Sequence, residues 1–374
     1  MAAYRQLLSY IAHSAPATRR PAAGDEPFLR PEIGFVPRWF HRRLGIDFGE
    51  SWHTNPEYRR QTIMAMATET KRLFGGRCDI GILQSPEDPA DILTGTFGAL
   101  LVAGIYGIPI RYGSDEWPWA EPGHELTDQE ADNLEPPDLD DNEFWLRFMS
   151  QLDWIADNVG PIEGFMNWQG VLNNAFRLRG QRIFIDMVRA PDRVFHIFEC
   201  VTTTMIEGVR ELSRRQRQTG VRLVHYTISN CLVNMLSPQQ YETFQLPFDM
   251  EIAKSFEMIG VHNCAWTADP YLDLYAKLPN VAYIDMGKES DLPRAKKLFP
   301  EARRAIMYSP EEIKNKPLDG IRADFERIAS HYGPCDLVLA DITEDTPDEK
   351  ILAILDICRE ISTRNLQWNE LDRS

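Results

Sequence analysis

His262, Asn263 and Cys264 are the residues whose types and spacing point most directly to chemistry. In an extended strand alternate side chains share a face, so His262 and Cys264 point together while Asn263 points away. An imidazole beside a thiol supplies two of the donors that Zn2+ prefers in tetrahedral geometry. The plain structural alternative is a half-buried His–Cys pair with no metal. A third ligand has to come from another strand end, and Asp285 and Asp341 each close an apolar run, VAYID and CDLVLAD. A His–Cys–Asp site with an open fourth position would bind a thiol, lower its pKa and present a thiolate. For either aspartate the structural alternative is helix capping or an ion pair. Cys335 opens the run that Asp341 ends, and at about 3.3 Å per residue it lies roughly 20 Å from that end, on the wrong face. Cys231, next to Asn230, is a candidate nucleophile with no His adjoining it in sequence; a buried structural thiol is the commoner fate of such a residue.

Such side chains need strands to carry them. The apolar runs are 78–84, 161–167, 222–228, 260–266, 281–285, 304–308 and 335–341, and an eighth is sought in 101–112. Amphipathic stretches separate them at 143–157, 191–218, 239–259, 269–278, 290–299, 310–332 and 347–362. Ser237-Pro238 and Ser309-Pro310 read as helix starts, a hydroxyl accepting orphan N–H groups and Pro suiting the first turn. Strand–helix alternation at this spacing means parallel strands with crossover helices. The expected fold is α/β, a (β/α)8 TIM barrel spanning 75–374 behind a loop-rich N-terminal extension, 1–74, with one or two helices. No GxGxxG opens a helix after a strand, which removes the main reason to prefer a dinucleotide-binding sheet. In a barrel, chemistry sits at the C-terminal strand ends. Asn230, Asp285 and Tyr308 stand there as catalytic candidates, and Asn167 with Trp117 and Trp168 as substrate-binding ones. Arg38, His41, Arg42 and Arg43 can hold a carboxylated substrate or form a solvated face.

Composition narrows the partners. With 40 Lys+Arg against 56 Asp+Glu the net charge is -16, a surface that repels phosphate backbones and anionic lipids. The six cysteines are scattered without a CxxC pair, which suits reduced thiols in a cytoplasmic protein. The N-terminus shows no secretory apolar core, and the most apolar stretch, 97–110, is too short to span a bilayer. The expectation is a cytoplasmic protein with a small-molecule substrate, and with neither nucleic acid nor membrane as partner.

Several segments together resemble the uroporphyrinogen decarboxylase superfamily, more closely its corrinoid-dependent methyltransferase branch. They are 95–122, NWQGVLNNAFRLRG (167–180), SNCLVNMLSPQQYETFQLPF (229–248), 260–300 with its His-x-Cys, and LVLADITEDTPDEKILAILD (337–356). The resemblance covers roughly 75–362 and implies a (β/α)8 barrel, with a homodimer as a fair expectation. In that branch the His-x-Cys pair and a later Cys bind zinc, which activates a thiol that exchanges methyl with the cobalt of a corrinoid protein. His262 and Cys264 match the first two ligands. The third falls at Ala340 or Asp341, where this chain has no Cys. That departure leaves three options: a His262–Cys264–Asp341 metal site, a metal-free site, or a different methyl donor or acceptor. The arginine-flanked glutamine-alanine-glycine motif of the true decarboxylases is absent. The leading expectation is therefore methyl transfer between a small methylated compound or thiol and a separate corrinoid protein, assisted by zinc. A metal-free carboxy-lyase acting on an aromatic or pyrrolic acid is the first alternative, and a non-catalytic ligand- or partner-binding barrel the second.

Overall fold

Apolar runs flanked by long amphipathic segments call for a parallel sheet with helices outside it. That is the architecture of the computed structural model, which describes residues 5–8, 26–75, 77, 78 and 91–365. The strands are β1 Arg5–Leu8, β2 Leu29–Phe35, β3 Ile110–Arg111, β4 Trp119–Ala120, β5 Val221–Ser229, β6 Met258–His262, β7 Val281–Gly287, β8 Arg303–Met307 and β9 Cys335–Ile342. Seven of them form one curled sheet in the order β1-β5-β6-β7-β8-β9-β2, each neighbouring pair parallel. β3 and β4 make a separate antiparallel ribbon. No described helix is long and apolar enough to cross a membrane.

Among the described residues the sheet does not close into eight strands, and two expected strands give way. Of the run 78–84, residues 79–84 lie outside the described residues. The stretch 101–112 is the helix Leu101–Ile105 followed by the two residues of β3. Residues 161–167 join no ladder, because Gly164 sits at φ +97° and turns the chain. The backbone there bonds to side chains instead: Ile162 N–H donates to Thr219 Oγ1 (2.9 Å), Phe165 N–H to Thr94 Oγ1 (3.2 Å), and Gln216 Nε2 donates to the Gly164 carbonyl (2.7 Å).

In the other direction, β2 arises within the segment expected to be loop-rich. Its sequence, LRPEIGF, hides a strand because Arg30 and Glu32 read as exposed, yet every residue is buried. The two charged side chains face the inside of the sheet. There Arg30 and Arg303 meet Asp336, with Arg303 Nε donating at 2.7 Å and Arg303 Nη1 reaching Glu26 at 2.7 Å. This ionic plug fills the N-terminal end of the strands. Above it an apolar collar of Tyr283, Ala305, Met307, Val338 and Ala340 packs inward. The alternate residues, Ile284, Met286, Ile306, Leu337 and Leu339, pack outward under the helices. With the floor filled, the C-terminal rim is the part of the interior left for chemistry.

The helices fall where the amphipathic pattern put them, among them Glu143–Asn158, Pro191–Gln218 and Asp348–Arg364. Ser237 caps its helix through a reciprocal box with Gln240, whereas Ser309 begins Pro310–Asn315 with no side-chain bond. The acidic segment 119–142 is anchored to the helical layer: Arg193 holds Asp132 at 2.6 Å, and Arg179 reaches the Leu126 carbonyl at 2.6 Å and Asp186 at 2.8 Å.

Candidate metal centre

Strand register decides what meets at the rim. β5 and β6 pair with Ser229 opposite His262, so two residues further on Cys231 and Cys264 leave their strands at the same level. Cys231 Sγ, a ring nitrogen of His262 and Cys264 Sγ lie within 4.8 Å of one another. His262 is buried and the two thiols are half-buried. His262 Nδ1 binds Asp285 Oδ2 at 2.7 Å, while Nε2 faces Cys264 Sγ at 3.2 Å. With Nδ1 committed to the carboxylate, Nε2 is the nitrogen left for a ligand.

Asp285 is fully buried and fully used. It accepts from His262, from the Asn263 N–H (2.8 Å) and from the Tyr283 hydroxyl (2.8 Å). Asn263, which points away from the pair as strand alternation requires, is locked by Tyr275 OH to its Oδ1 (2.7 Å) and by its own Nδ2 to the Asp285 carbonyl (2.8 Å). Burial opposes a charge on His262, but Asp285 and Cys231 together push its pKa up to about 10. The neighbouring Cys264 thiol lowers the pKa of Cys231, and Cys231 raises that of Cys264, so the first thiolate belongs to the Cys231 side.

Two supports hold the Cys231 loop. From one side Asn230 N–H donates to the His262 carbonyl (2.7 Å), and Asn230 Nδ2 donates to Asp249 Oδ2 (3.0 Å). Asp249 also accepts from Tyr241 OH (2.8 Å) and Gln245 Nε2 (2.7 Å), both delivered by a π-helical turn at Tyr241–Gln245. Burial pushes the Asp249 pKa up to about 6, against those three donors. A carboxyl raised in the folded state binds its proton there before the unfolded chain does, so stability falls as pH rises through that window. Between pH 4 and 6 the unfolding free energy of the natural chain should fall relative to Asp249→Asn by about 2 kcal/mol, read from denaturant titrations at each pH.

From the other side Asn167 Oδ1 accepts from Gln169 Nε2 (3.0 Å), Gln169 Oε1 from Asn173 Nδ2 (2.8 Å), and Asn173 Oδ1 from the Leu232 N–H (3.2 Å). Gly170 lets this segment close on β5, since a Cβ there would stand 2.3 Å from the Ser229 carbonyl oxygen. Gly170→Ala should therefore cost about 2–3 kcal/mol of stability and displace the Cys231 loop, which a melting curve and the reactivity of Cys231 toward a thiol reagent would report.

The expected site residues divide accordingly. Asp341, expected as the third ligand, lies outside the trio, and Cys231 is the side chain that meets His262 and Cys264. The reason is a bulge. β2 pairs Ile33 with Leu339 but Phe35 with Ile342, so β9 carries one extra residue, and Asp341 takes it up at φ +54°. Its side chain keeps contact with solvent, although the surrounding protein raises its pKa while His262 lowers it. Asp285 serves as the partner of His262. Asn230 and Asn167 position loops. Tyr308 turns outward, its ring against Phe325 and its hydroxyl donating to Asp324 (2.6 Å), which corrects the expectation that it faces the mouth. Trp168 is likewise a packing residue, buried against Trp145 and Gly208 rather than walling a ligand. Trp117 is half-buried between β3 and β4. Arg38, Arg42 and Arg43 pair with Asp115, Glu344 and Asp348. A separate cavity of about 610 Å³, lined by Phe97, Tyr112, Phe144 and Arg147 among others, contains none of the trio. The described residues that line it form no cluster of metal donors.

Of the five non-glycine residues with positive φ among those described, Gln169, Cys264 and Asp341 stand on this rim. Such conformations cost about 1–3 kcal/mol each and persist where the surrounding structure enforces them. Sequence reading missed Cys231 as a partner of the pair. The available signal was that it stands just past the end of the apolar run 222–228, next in order to the run that carries His262 and Cys264.

The curled parallel sheet, which carries the Cys–His–Cys group at its C-terminal rim, has a fold relative among solved structures. A methyltransferase from Methanosarcina mazei superposes with a TM-score of 0.63 at 18% identity, over 90% of this chain and 94% of that one. A B12-independent methionine synthase from Shewanella sp. W3-18-1, in complex with selenomethionine, overlaps with a TM-score of 0.45 at 9% identity, over 91% of this chain and 99% of that one. No protein-family model matches the chain. No curated protein matches it either.

Proposed function

We propose that this chain is a methyltransferase whose reaction centre is Cys231, His262 and Cys264 holding zinc. The observation that carries the reading is the convergence of one nitrogen and two sulfur donors within 4.8 Å at a strand-end rim. The donor set suits the ion: two thiols and an imidazole fixed by a carboxylate leave a tetrahedral site one open position. Zinc bound there would supply a Lewis acid that lowers the pKa of a thiol or polarises a substrate heteroatom.

The chain's own residues do the rest. Asp285 holds the proton on His262 Nδ1 and so keeps Nε2 directed at the ligand position. Asn230, tied to Asp249 and to the His262 carbonyl, and Asn173, tied to Leu232, fix the Cys231 loop at the height of Cys264. The methyl group would pass between a small methylated compound or thiol and the cobalt of a separate corrinoid protein docked over the rim, which is what the sequence resemblance implies. The fold shared with a solved methyltransferase supports this assignment.

The test pairs metal analysis with turnover. About one zinc per chain, together with demethylation of methylcobalamin by an added thiol that His262→Ala abolishes, is the expected result. A chain purified without chelators that carries no zinc, or turnover indifferent to His262, would sink the proposal.

A further inference from the structure

Two charges flank the trio without counter-ions. The first is Asp341: the bulge in β9 inserts it between the inward Ala340 and the outward Ile342 and aims it neither way. Its carboxyl group makes no hydrogen bond or ion pair among the described residues, and it acts electrostatically on both His262 and Cys264. The second is Arg177, one turn beyond Asn173 on the same face of the helix Val171–Arg179. Since Asn173 binds the Leu232 N–H, that face lies along the Cys231 loop. Arg177 Nε is buried with no partner, no carboxylate pairs with the guanidinium among the described residues, and Cys231 acts on it electrostatically. Arg177 is half-buried and Asp341 keeps contact with solvent, and two such charges of opposite sign, neither paired with a protein side chain among the described residues, are complementary to a dipolar ligand. Other charges just past the strand ends are spent on each other: Lys288 on Glu312, Lys314 on Asp345, Arg42 on Glu344.

We infer that the substrate of this rim is a small zwitterion, a methylated onium group joined to a carboxylate, with the onium end against Asp341 and the carboxylate against Arg177. This rests on the trio being the reaction centre and adds the substrate class to it. An acceptor or donor bearing a single negative charge would meet Asp341 unfavourably, and a simple cation would leave Arg177 unpaired.

Titration calorimetry of the full-length, zinc-loaded chain tests the inference with three probes: trimethylglycine, tetramethylammonium and acetate. Trimethylglycine should bind at least about tenfold more tightly than either single-charge probe, since a hydrogen bond to a charged group contributes on that scale. Arg177→Gln should reduce it to the level of tetramethylammonium, and Asp341→Asn to that of acetate. Asn tolerates a positive φ and Gln a helix, so both variants should fold; Asp341→Gly, equally at ease at that φ, is the second variant at the bulge. Equal affinities for the three probes, no binding of any, or trimethylglycine binding unchanged in both variants would overturn the inference. Zinc content read on the same samples separates this result from the metal assignment. Zinc without probe discrimination removes only the substrate class, and discrimination without zinc removes only the metal.

Discussion

Cys231→Ser is expected to strip the chain of zinc as completely as His262→Ala or Cys264→Ala does. Zinc binding at thiolate–imidazole sites amounts to roughly 10–16 kcal/mol in small peptides, so losing one of three protein ligands should weaken affinity by about a thousandfold or more. The contrast with Asp341 makes this decisive. Asp341→Asn should keep about one zinc per chain, because the bulge leaves that carboxyl outside the trio. Metal content after equilibration with a weak competing chelator, measured on all four variants, gives the ranking directly. Were Asp341→Asn to lose zinc while Cys231→Ser kept it, the ligand set would be the one the sequence suggested. The serine variant also leaves the loop's other supports in place, since Asn230 and Leu232 bond through their own groups.

Asp285→Asn should act on metal and fold together. The carboxylate sits at zero exposure and accepts three hydrogen bonds, from His262, Asn263 and Tyr283. Replacing one oxygen with an amide sets an N–H against a donor and removes the negative charge that holds the His262 proton. Outer-shell partners of this kind typically contribute 10–100-fold to metal affinity. Breaking a buried charge pair costs about 3–5 kcal/mol, so the metal-free variant should also unfold at clearly lower denaturant concentration. Tyr283→Phe is the calibrating control. It removes one of the three donors, keeps the carboxylate, and should cost about 1 kcal/mol with zinc retained. An Asp285→Asn chain with unchanged zinc affinity would mean that the imidazole is oriented by packing alone.

Much of the scaffold was legible because apolar periodicity reports burial directly. The runs at 222–228, 281–285, 304–308 and 335–341 became β5, β7, β8 and β9, and the amphipathic stretches became the helices around them. Misreadings came where burial was polar or the chain was bent. β2 reads as loop because its inward residues are Arg30 and Glu32, and the carboxylate that Arg30 meets, Asp336, is supplied by β9 at the far end of the sequence. The run 161–167 reads as a strand by composition, yet it pairs with no strand among the described residues, where Gly164 at φ +97° turns the chain. Tyr308 and Trp168 have residue types common in sites, but a side chain's type does not say which face of the sheet it occupies.

What the sequence determined by itself was that His262 and Cys264 stand two residues apart at a strand end, while the left-handed turn at Cys264 (φ +52°) sets its thiol beside the ring. It also set the strand–helix order and the acidic balance of the surface. The tertiary structure decided which third side chain joins that pair. Register between β5 and β6 brings Cys231 level with Cys264, and a one-residue bulge in β9 turns Asp341 aside. Both are outcomes of how separate segments slide past one another, a degree of freedom that no single stretch of chain encodes.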